Sequence, residues 1–214
     1  MKKQGLFITF EGVDGSGKTT VINNVKKDLL ALIQNNQLSY SDVITTREPG
    51  GSGNEFCESI RSLILKNEMS IQTEILLFAA NRVEHLNQLI IPSLNENKIV
   101  LSDRFLDSSL VYQGIAKLNN WKVPYKINKW AFKKLPDITF LLDIDPKIAN
   151  QRMEFDENRN WDRFDNEKKE FKNKIRNGFL KIAKKFSKRF VIINADKSIR
   201  DIIDEIVNII CQFN

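Results

Sequence analysis

The feature that most constrains this chain is a glycine-rich loop near its start, where residues 12–19 read GVDGSGKT. This stretch fits the pattern G-x-x-x-x-G-K-[ST], in which backbone N–H groups wrap around the phosphates of a nucleotide. A strand-like apolar segment precedes the loop, and a helix-like amphipathic segment follows it. The pattern therefore predicts a nucleotide-binding α/β fold. It leaves Asp14 as an unexplained carboxylate inside a phosphate-binding loop.

The phosphate-loop pattern predicts roles for the loop backbone and for two side chains. N–H groups at the helix N-terminus would hold the β-phosphate of ATP. Lys18 would neutralise the β- and γ-phosphate oxygens, and the hydroxyl group of Thr19 would help to hold Mg²⁺. The predicted ATP-binding residues of this loop are Gly12, Gly15, Ser16, Gly17, Lys18, Thr19 and Thr20.

Five short apolar segments predict strands that are buried on both faces of a parallel sheet. Helical patterns lie between them. This alternation implies right-handed crossovers and a doubly wound five-stranded α/β sheet, in one domain over residues 1–214. The predicted strands are 6–11, 43–47, 98–103, 138–144 and 190–195. The predicted helices are 18–34, 71–94 (with a bend or break near Pro92), 108–117, 125–135, 146–155, 167–186 and 198–212.

One polar segment does not fit this scheme. Residues 155–167 read FDENRNWDRFDNE and lie between two predicted helices. Loops of this kind often close over ligands, so we predict a mobile lid over about residues 152–166.

Asp103 ends the third predicted strand, in the sequence IVLSD. Its carboxylate should therefore lie beside the phosphate loop, at the carboxyl edge of the sheet. A carboxylate in this place can organise Mg²⁺ and its waters, so Thr19 and Asp103 are the predicted metal ligands, partly through water. The alternative is a strand-end residue that caps the next helix.

Arginines predict a second anion site that faces the first. Arg47 and Arg104 follow strands, whereas Arg61 and Arg82 lie on facing helices. Two facing anion sites suit the transfer of a phosphoryl group onto another phosphate. The acceptor phosphate has a second pKa of about 6 and is already ionised at neutral pH, so the reaction needs no general base. Arginine side chains and Mg²⁺ would stabilise the charge, and a closing lid would exclude water.

Other residue types narrow the class of protein. His85 is the single histidine and is predicted to lie on a helix surface or half-buried. Cys57 and Cys211 are far apart, so we expect neither a structural disulfide nor a zinc site. The chain has no run of 18 apolar residues and no signal-peptide pattern, so we expect a cytoplasmic protein without a membrane span. The guanine-binding sequence N-K-x-D of GTPases does not follow at Asn128 and Lys129.

Four motifs occur in order and carry a family resemblance. They are FEGVDGSGKTT at 10–20, TREPGG at 46–51, LLFAANRVEHL at 76–86 and DRFLDSSLVYQG at 103–114. Together with INADKSI at 193–199, they strongly resemble the thymidylate kinases of the bacterial type, over essentially the whole chain. The resemblance implies transfer of a phosphoryl group from ATP–Mg²⁺ to dTMP, giving dTDP for dTTP biosynthesis. It also implies a homodimer, with no nucleic-acid or membrane partner.

The same resemblance implies roles for single residues. Asp14 takes the place of a loop carboxylate that faces away from ATP and accepts a hydrogen bond from the 3′-hydroxyl group of the acceptor. Phe78 matches the ring that stacks on thymine, and Arg82 matches the arginine that hydrogen-bonds its O4. Arg47 and Arg104 match the clamp on the acceptor phosphate. The positions that match the dTMP site are Asp14, Arg47, Glu48, Pro49, Arg61, Phe78, Arg82, Arg104, Ser109, Tyr112 and Gln113.

The family divides over the position of its catalytic arginine. One branch places a basic residue directly after the loop carboxylate, where this chain has Gly15. The basic group is therefore expected from the lid, where Arg163 aligns best and Arg159 is the second choice. The predicted catalytic residues are Lys18, Asp103, Arg104, Arg163 and Arg159.

Five further residues complete the predicted roles. Arg152 at the start of the lid, with Asn194 and Asp196 after the last strand, is predicted to contact ATP. The alternative for the strand end is a polar turn with Asp196 near the cap of the next helix. Tyr112 matches the residue that crowds the 2′ position of the sugar. Glu11 belongs to the family pattern, and bracing of the loop is its predicted role.

Two other functions stay open at this stage. A deoxynucleoside kinase would phosphorylate a neutral hydroxyl group, which needs a general base and fewer arginines. A nucleic-acid-binding protein would use the net charge of +6 and would bind in a salt-sensitive way. However, much of the excess charge lies in 168–189, where lysines follow a helical pattern and favour a solvated helix face.

Overall fold

The computed structural model describes residues 4–154 and 169–213. As predicted, five parallel strands form one sheet, in the order β2-β3-β1-β4-β5. Strand β1 therefore lies at the centre, and the phosphate loop leaves from the middle of the carboxyl edge. The strands are β1 Leu6–Glu11, β2 Val43–Arg47, β3 Ile99–Asp103, β4 Ile138–Asp143 and β5 Phe190–Asn194.

Helices cover the sheet and connect its strands. The α-helices are α1 Lys18–Gln34, α2 Glu55–Lys66, α3 Ile71–His85, α4 Ile91–Asn95, α5 Leu106–Ser109, α6 Lys122–Ile127, α7 Pro146–Glu154, α8 Lys169–Lys185 and α9 Ile199–Cys211. Two π-helical segments, Leu86–Ile90 and Leu110–Lys117, and a 3₁₀ segment, Lys129–Lys133, continue some of them. Among the described residues, none of the helices has the length and apolar character needed to cross a membrane.

The predicted helix 71–94 is a chain of three helical pieces rather than one α-helix. Its π-helical segment ends at Ile90, two residues before Pro92, which lies in the first turn of α4. Proline cannot donate a backbone hydrogen bond, and its ring crowds the preceding turn, so a wider turn accommodates it. The predicted helix 125–135 is likewise interrupted, between α6 and the 3₁₀ segment. There the side chain of Asn128 donates to the Pro124 carbonyl oxygen at 2.8 Å.

Helix α2 is not among the predicted helices, although its local signals are present. The side chain of Asn54 caps it by accepting a hydrogen bond from the N–H of Cys57 at 3.0 Å. Cys57, Ile60 and Ile64 are buried at helical spacing. The capping residue and this short apolar stripe are the pattern that could have predicted it.

The core lies on both faces of the sheet. Every residue of β1 is buried, and Phe7, Ile8 and Phe10 have no exposed surface. Continuous apolar strands of this kind require cover on both faces, which the helices supply. The carboxyl ends of these strands are consequently fixed by packing and can hold side chains in place above the edge.

Candidate active site

A cleft of about 680 Å³ opens at the carboxyl edge of the sheet. The phosphate loop forms one end, and the ends of β2 and β3 with parts of α2 and α3 form the other. Most predicted site residues line it: Asp14, Gly15, Gly17, Lys18, Thr19, Thr20, Arg47, Glu48, Pro49, Arg61, Phe78, Arg82, Asp103, Arg104, Tyr112, Gln113 and Arg152. Gly12, Ser16, Ser109, Asn194 and Asp196 lie outside this lining. Arg159, Arg163 and most of the predicted lid lie outside the described residues.

The phosphate loop has the backbone that its glycines predict. Gly15 has a φ of +80°, and a Cβ atom there would lie 2.3 Å from the carbonyl oxygen of Ala149 in α7. The loop therefore packs directly on α7. Inside the loop, Lys18 Nζ donates to the carbonyl oxygens of Val13 at 3.1 Å and Gly12 at 3.4 Å. Burial lowers the pKa of Lys18, and the nearby Arg104 lowers it as well.

Thr19 and Asp103 meet beside this loop. The Thr19 hydroxyl group donates to Asp103 Oδ2 at 2.9 Å. Helix α5 does not use Asp103 as a cap, because the N–H groups of Phe105 and Ser108 donate to Glu11 instead. The alternative role for Asp103 as a helix cap is therefore wrong, and its carboxylate remains at the cleft.

Arg104 connects the phosphate loop to the facing side of the cleft. Its backbone has a φ of +70°, in the left-handed region that non-glycine residues rarely occupy. Its guanidinium group donates to Asp14 Oδ1 at 2.6 Å, to Ser108 Oγ at 3.0 Å and to the Tyr112 hydroxyl group at 3.3 Å. Tyr112 in turn donates to Asp14 Oδ2 at 3.3 Å. Burial raises the pKa of Tyr112, so its hydroxyl group stays protonated and can donate.

Glu11 braces the segment that carries Arg104. Its fully buried carboxylate accepts hydrogen bonds from the N–H of Phe105 at 2.9 Å, the N–H of Ser108 at 3.2 Å and the hydroxyl group of Ser108 at 2.6 Å. Burial, together with the neighbouring Asp107, raises the pKa of Glu11 to about 7. The carboxylate therefore holds the start of the helix that follows β3, whereas its predicted role was to brace the phosphate loop.

Arg82 lies at the other end of the cleft and is almost fully buried, with 1% of its surface exposed. Its Nε donates to Glu48 Oε2 at 2.8 Å, and its Nη1 donates to Asn128 Oδ1 at 2.6 Å. Its Nη2 donates to the Phe105 carbonyl oxygen at 3.2 Å and to Ser109 Oγ at 3.1 Å. Glu48 and Ser109 thus orient Arg82. Asn128 does so too, although sequence reasoning did not assign it to the site.

His85 is fully buried, so its predicted position on a helix surface or half-buried is wrong. Its Nε2 lies 2.7 Å from Thr46 Oγ1, and its Nδ1 lies 3.1 Å from Glu48 Oε1. Both ring nitrogens have polar partners, which makes burial of the ring tolerable. The histidine is therefore a structural neighbour of Glu48.

Arg61 contacts the loop that follows β2 directly, and Arg47 is connected to the same loop through Glu58 of α2. Arg47 Nη2 donates to both carboxylate oxygens of Glu58 at 3.1 Å, and Arg47 is largely exposed. Glu58 also accepts from the Gly51 N–H at 3.2 Å, and Arg61 Nη1 donates to the Pro49 carbonyl oxygen at 2.7 Å. Both arginines therefore hold this loop in addition to lining the cleft.

The three remaining residues that are predicted to contact ATP, Arg152, Asn194 and Asp196, lie near one another. Arg152 donates to the Ala195 carbonyl oxygen at 3.1 Å and lies 3.9 Å from Asp196. The Asn194 side chain accepts from the Asp196 N–H at 3.0 Å. Helix α9 is capped by Ser198, which accepts from its third N–H group. Asp196 lies in the turn two residues before this cap, so the alternative of a polar turn with Asp196 near the helix cap agrees with the structure.

The fold and this cleft define a class of protein. A phosphate loop and an arginine-rich site face each other at the edge of a five-stranded parallel sheet, as in a P-loop kinase that phosphorylates nucleoside monophosphates.

Comparison with known proteins agrees with this class and is more specific. The family model for thymidylate kinase matches residues 10–206. A thymidylate kinase of Acholeplasma laidlawii is 44% identical over 197 residues, covering 91% of this chain and 92% of the relative. A thymidylate kinase of Ligilactobacillus salivarius is 40% identical, and the match covers 98% of this chain and 99% of the relative. The crystal structure of the thymidylate kinase of Ehrlichia chaffeensis superposes with a TM-score of 0.75 at 33% identity, covering 97% and 99%. The chain belongs to the thymidylate kinase family and is a phosphotransferase.

The raised pKa of Glu11 predicts a specific dependence of stability on pH. Its folded-state pKa of about 7 lies above the ordinary value of 4.5, so between these pH values the folded state binds more protons than the unfolded state. The free energy of unfolding contributed by Glu11 therefore falls as the pH rises through this window and is constant above it. In the Glu11→Gln variant, we expect the free energy of unfolding, measured with urea, not to show this decrease with pH. Wild-type and variant curves that run parallel from pH 5 to pH 8 would contradict it.

Proposed function

We propose that ATP–Mg²⁺ binds at the phosphate loop, that dTMP binds at the arginine-rich end, and that the γ-phosphoryl group passes in line between them. As a member of its family, the chain phosphorylates dTMP to dTDP with ATP as donor. The observation that carries the proposal is that Lys18 and Arg82 lie at opposite ends of one and the same cleft. Because both substrates are metabolites of the cytoplasm, we expect the enzyme to work there.

On the donor side, the loop N–H groups and Lys18 would hold the β- and γ-phosphates. A hydroxyl and a carboxylate are hard oxygen ligands, and those of Thr19 and Asp103 lie 2.9 Å apart. They fit Mg²⁺, which takes oxygen ligands together with substrate phosphates. When bound, the ion would neutralise phosphate charge. Thr19 and Asp103 would hold it, partly through water, and would keep the donor phosphate next to Lys18.

On the acceptor side, Arg82 and Phe78 would bind the base, and Arg47 with Arg104 would bind the phosphate. Arg104 already contacts Asp14 and Tyr112. A guanidinium group has five N–H donors, so it can hold this carboxylate and a substrate phosphate together. Asp14 would then face the 3′-hydroxyl group of the sugar.

The chemistry then needs positioning and charge stabilisation rather than a base. The acceptor phosphate is ionised near neutral pH because its second pKa is about 6. The remaining barrier is the approach of two polyanions, which Lys18, Arg47 and Arg104 would lower by electrostatic stabilisation.

We further propose that the predicted lid supplies the last basic group, with Arg163 as the first choice and Arg159 as the second. Gly15 provides no charge at the equivalent place in the loop. Helix α8 follows the lid and is attached to the end of β4, where Arg176 donates to the two carboxylate oxygens of Asp143 at 2.7 and 2.9 Å. This ion pair would give the lid a fixed point on the sheet.

Production of ADP with a panel of acceptors tests the proposed function. We expect fast turnover with dTMP, slower turnover with dUMP, much slower turnover with dCMP and turnover near zero with UMP, because Arg82 reads a carbonyl group and Tyr112 crowds the 2′ position. The larger purine base of dGMP and the missing phosphate of thymidine should prevent turnover of these two compounds. A coupled assay with ATP–Mg²⁺ measures this. Turnover with thymidine alone would identify a nucleoside kinase instead. No turnover with any acceptor would contradict both the proposed dTMP kinase activity and a nucleoside kinase activity.

We also propose that two chains associate through α2 and α3. Phe56, Leu63 and Leu76 on these helices have 58%, 51% and 57% of their surface exposed. Exposed apolar side chains grouped on adjacent helices are typical of interaction surfaces.

Light scattering of the purified protein is expected to give twice the chain mass of 24.8 kDa. Leu76→Glu should shift the mass toward the monomer, because it places a charge in an apolar contact. Ile199→Glu makes the same kind of change at an exposed position of α9 and should leave the mass unchanged. A monomeric wild type, or a Leu76→Glu variant that remains dimeric, would contradict this surface.

A further inference from the structure

Glu74 is a buried carboxylate that the proposed reaction does not use. It lies on α3 with 1% of its surface exposed. Its Oε1 accepts from Gln113 Nε2 at 2.8 Å, and both of its oxygens lie 2.9 Å from Lys117 Nζ. Glu74, Phe78 and Arg82 are four residues apart, so they lie along one face of α3, toward the base end of the cleft.

The charge of Glu74 determines which way the amide group of Gln113 points. A carboxylate paired with an ammonium group on both oxygens is held in its ionised form. An ionised carboxylate only accepts hydrogen bonds, so Gln113 must turn its NH₂ group toward Glu74. The Oε1 atom of Gln113 is then directed away from Glu74.

This oxygen atom has an unmet hydrogen-bonding requirement. Gln113 lines the cleft together with Phe78 and Arg82. Its Oε1 is buried and has no hydrogen-bond partner among residues 4–154 and 169–213. A buried acceptor without a partner is unfavourable, so this atom is suited to a donor that arrives with a ligand.

Arg82 and Gln113, the two polar residues at this end of the cleft, would bind a base that carries complementary hydrogen-bonding atoms. Arg82 offers N–H donors, which suit a ring carbonyl oxygen, and Gln113 offers an acceptor, which suits a ring N–H. Thymine and uracil carry these groups side by side, as O4 and N3–H. Cytosine has an amino group and an unprotonated ring nitrogen in the same places, so it mismatches both residues.

We propose that Glu74 is a positioning residue that sets base specificity. It fixes the amide group of Gln113 so that Oε1 accepts a hydrogen bond from N3–H of the acceptor base. This inference rests on the proposed function of the cleft as a dTMP site. In Glu74→Gln the partner becomes an amide that can either donate or accept, so the amide group of Gln113 is free to turn over.

The kinetics of Glu74→Gln with dTMP and dCMP test the inference. We expect kcat/KM for dTMP relative to dCMP to fall about tenfold, the effect of losing one directed hydrogen bond. The change should lie mainly in the KM for dTMP, with the KM for ATP unchanged. The ratio does not depend on the fraction of folded enzyme. Glu84→Gln makes the same chemical change on α3, at a half-buried position outside the cleft lining, and should leave the ratio unchanged.

A double-mutant cycle with Gln113→Met separates positioning from a purely structural role. If Glu74 acts through Gln113, adding Glu74→Gln to Gln113→Met should not lower the ratio further. An unchanged ratio in Glu74→Gln, or an equal loss in both backgrounds, would overturn the inference. Wild-type turnover of dTMP is measured first, and its absence would overturn the proposed function itself.

Discussion

The hydrogen bond between Arg104 and Asp14 joins the two ends of the cleft, and the arrangement of the site depends on it. Asp14 belongs to the phosphate loop, whereas Arg104 follows the strand that delivers Asp103. The bond is 2.6 Å long and involves two opposite charges, which makes it one of the stronger contacts of the site. This bond explains why a phosphate-binding loop can contain a carboxylate, because Asp14 is paired with the cation of Arg104 across the cleft.

The position of Arg104 has an energetic cost that its neighbours offset. Its left-handed backbone is unfavourable for a residue with a Cβ atom. The following N–H group, of Phe105, donates to Glu11, and Ser108 contacts both Glu11 and Arg104. These bonds fix the segment after β3 in one geometry. Asp103 and Arg104 therefore point to the same cleft from adjacent positions.

The end of the cleft that holds Arg82 is fixed by buried polar groups that hydrogen-bond one another. Glu48 binds both Arg82 and His85, and Asn128 accepts a further hydrogen bond from Nη1 of Arg82. Breaking such a network would leave a charge buried without a partner, which is strongly unfavourable. Arg82 is therefore oriented by the protein. An enzyme that works by positioning and electrostatics needs donors placed in advance.

The sequence alone was sufficient for the sheet and the phosphate loop, because their patterns are local. All five predicted strands occur, within one residue of their predicted ends. The π-helical segment before Pro92 and the short helix α2 were harder to predict from the sequence. Their only local signals are a single proline for the first and a short apolar stripe with a capping residue for the second. The roles of His85, Asn128 and Glu74 required the fold, because their partners are distant in the chain.

The assignment of Asp14 to the acceptor site is tested most directly by calorimetric binding of dTMP and of its 3′-deoxy analogue. The wild type is expected to bind dTMP about tenfold more tightly than the analogue, the value of one hydrogen bond to a charged group. In Asp14→Ala the two ligands should bind almost equally, because the group that distinguishes them is gone. If the variant retains the full preference for dTMP, Asp14 does not read the 3′-hydroxyl group.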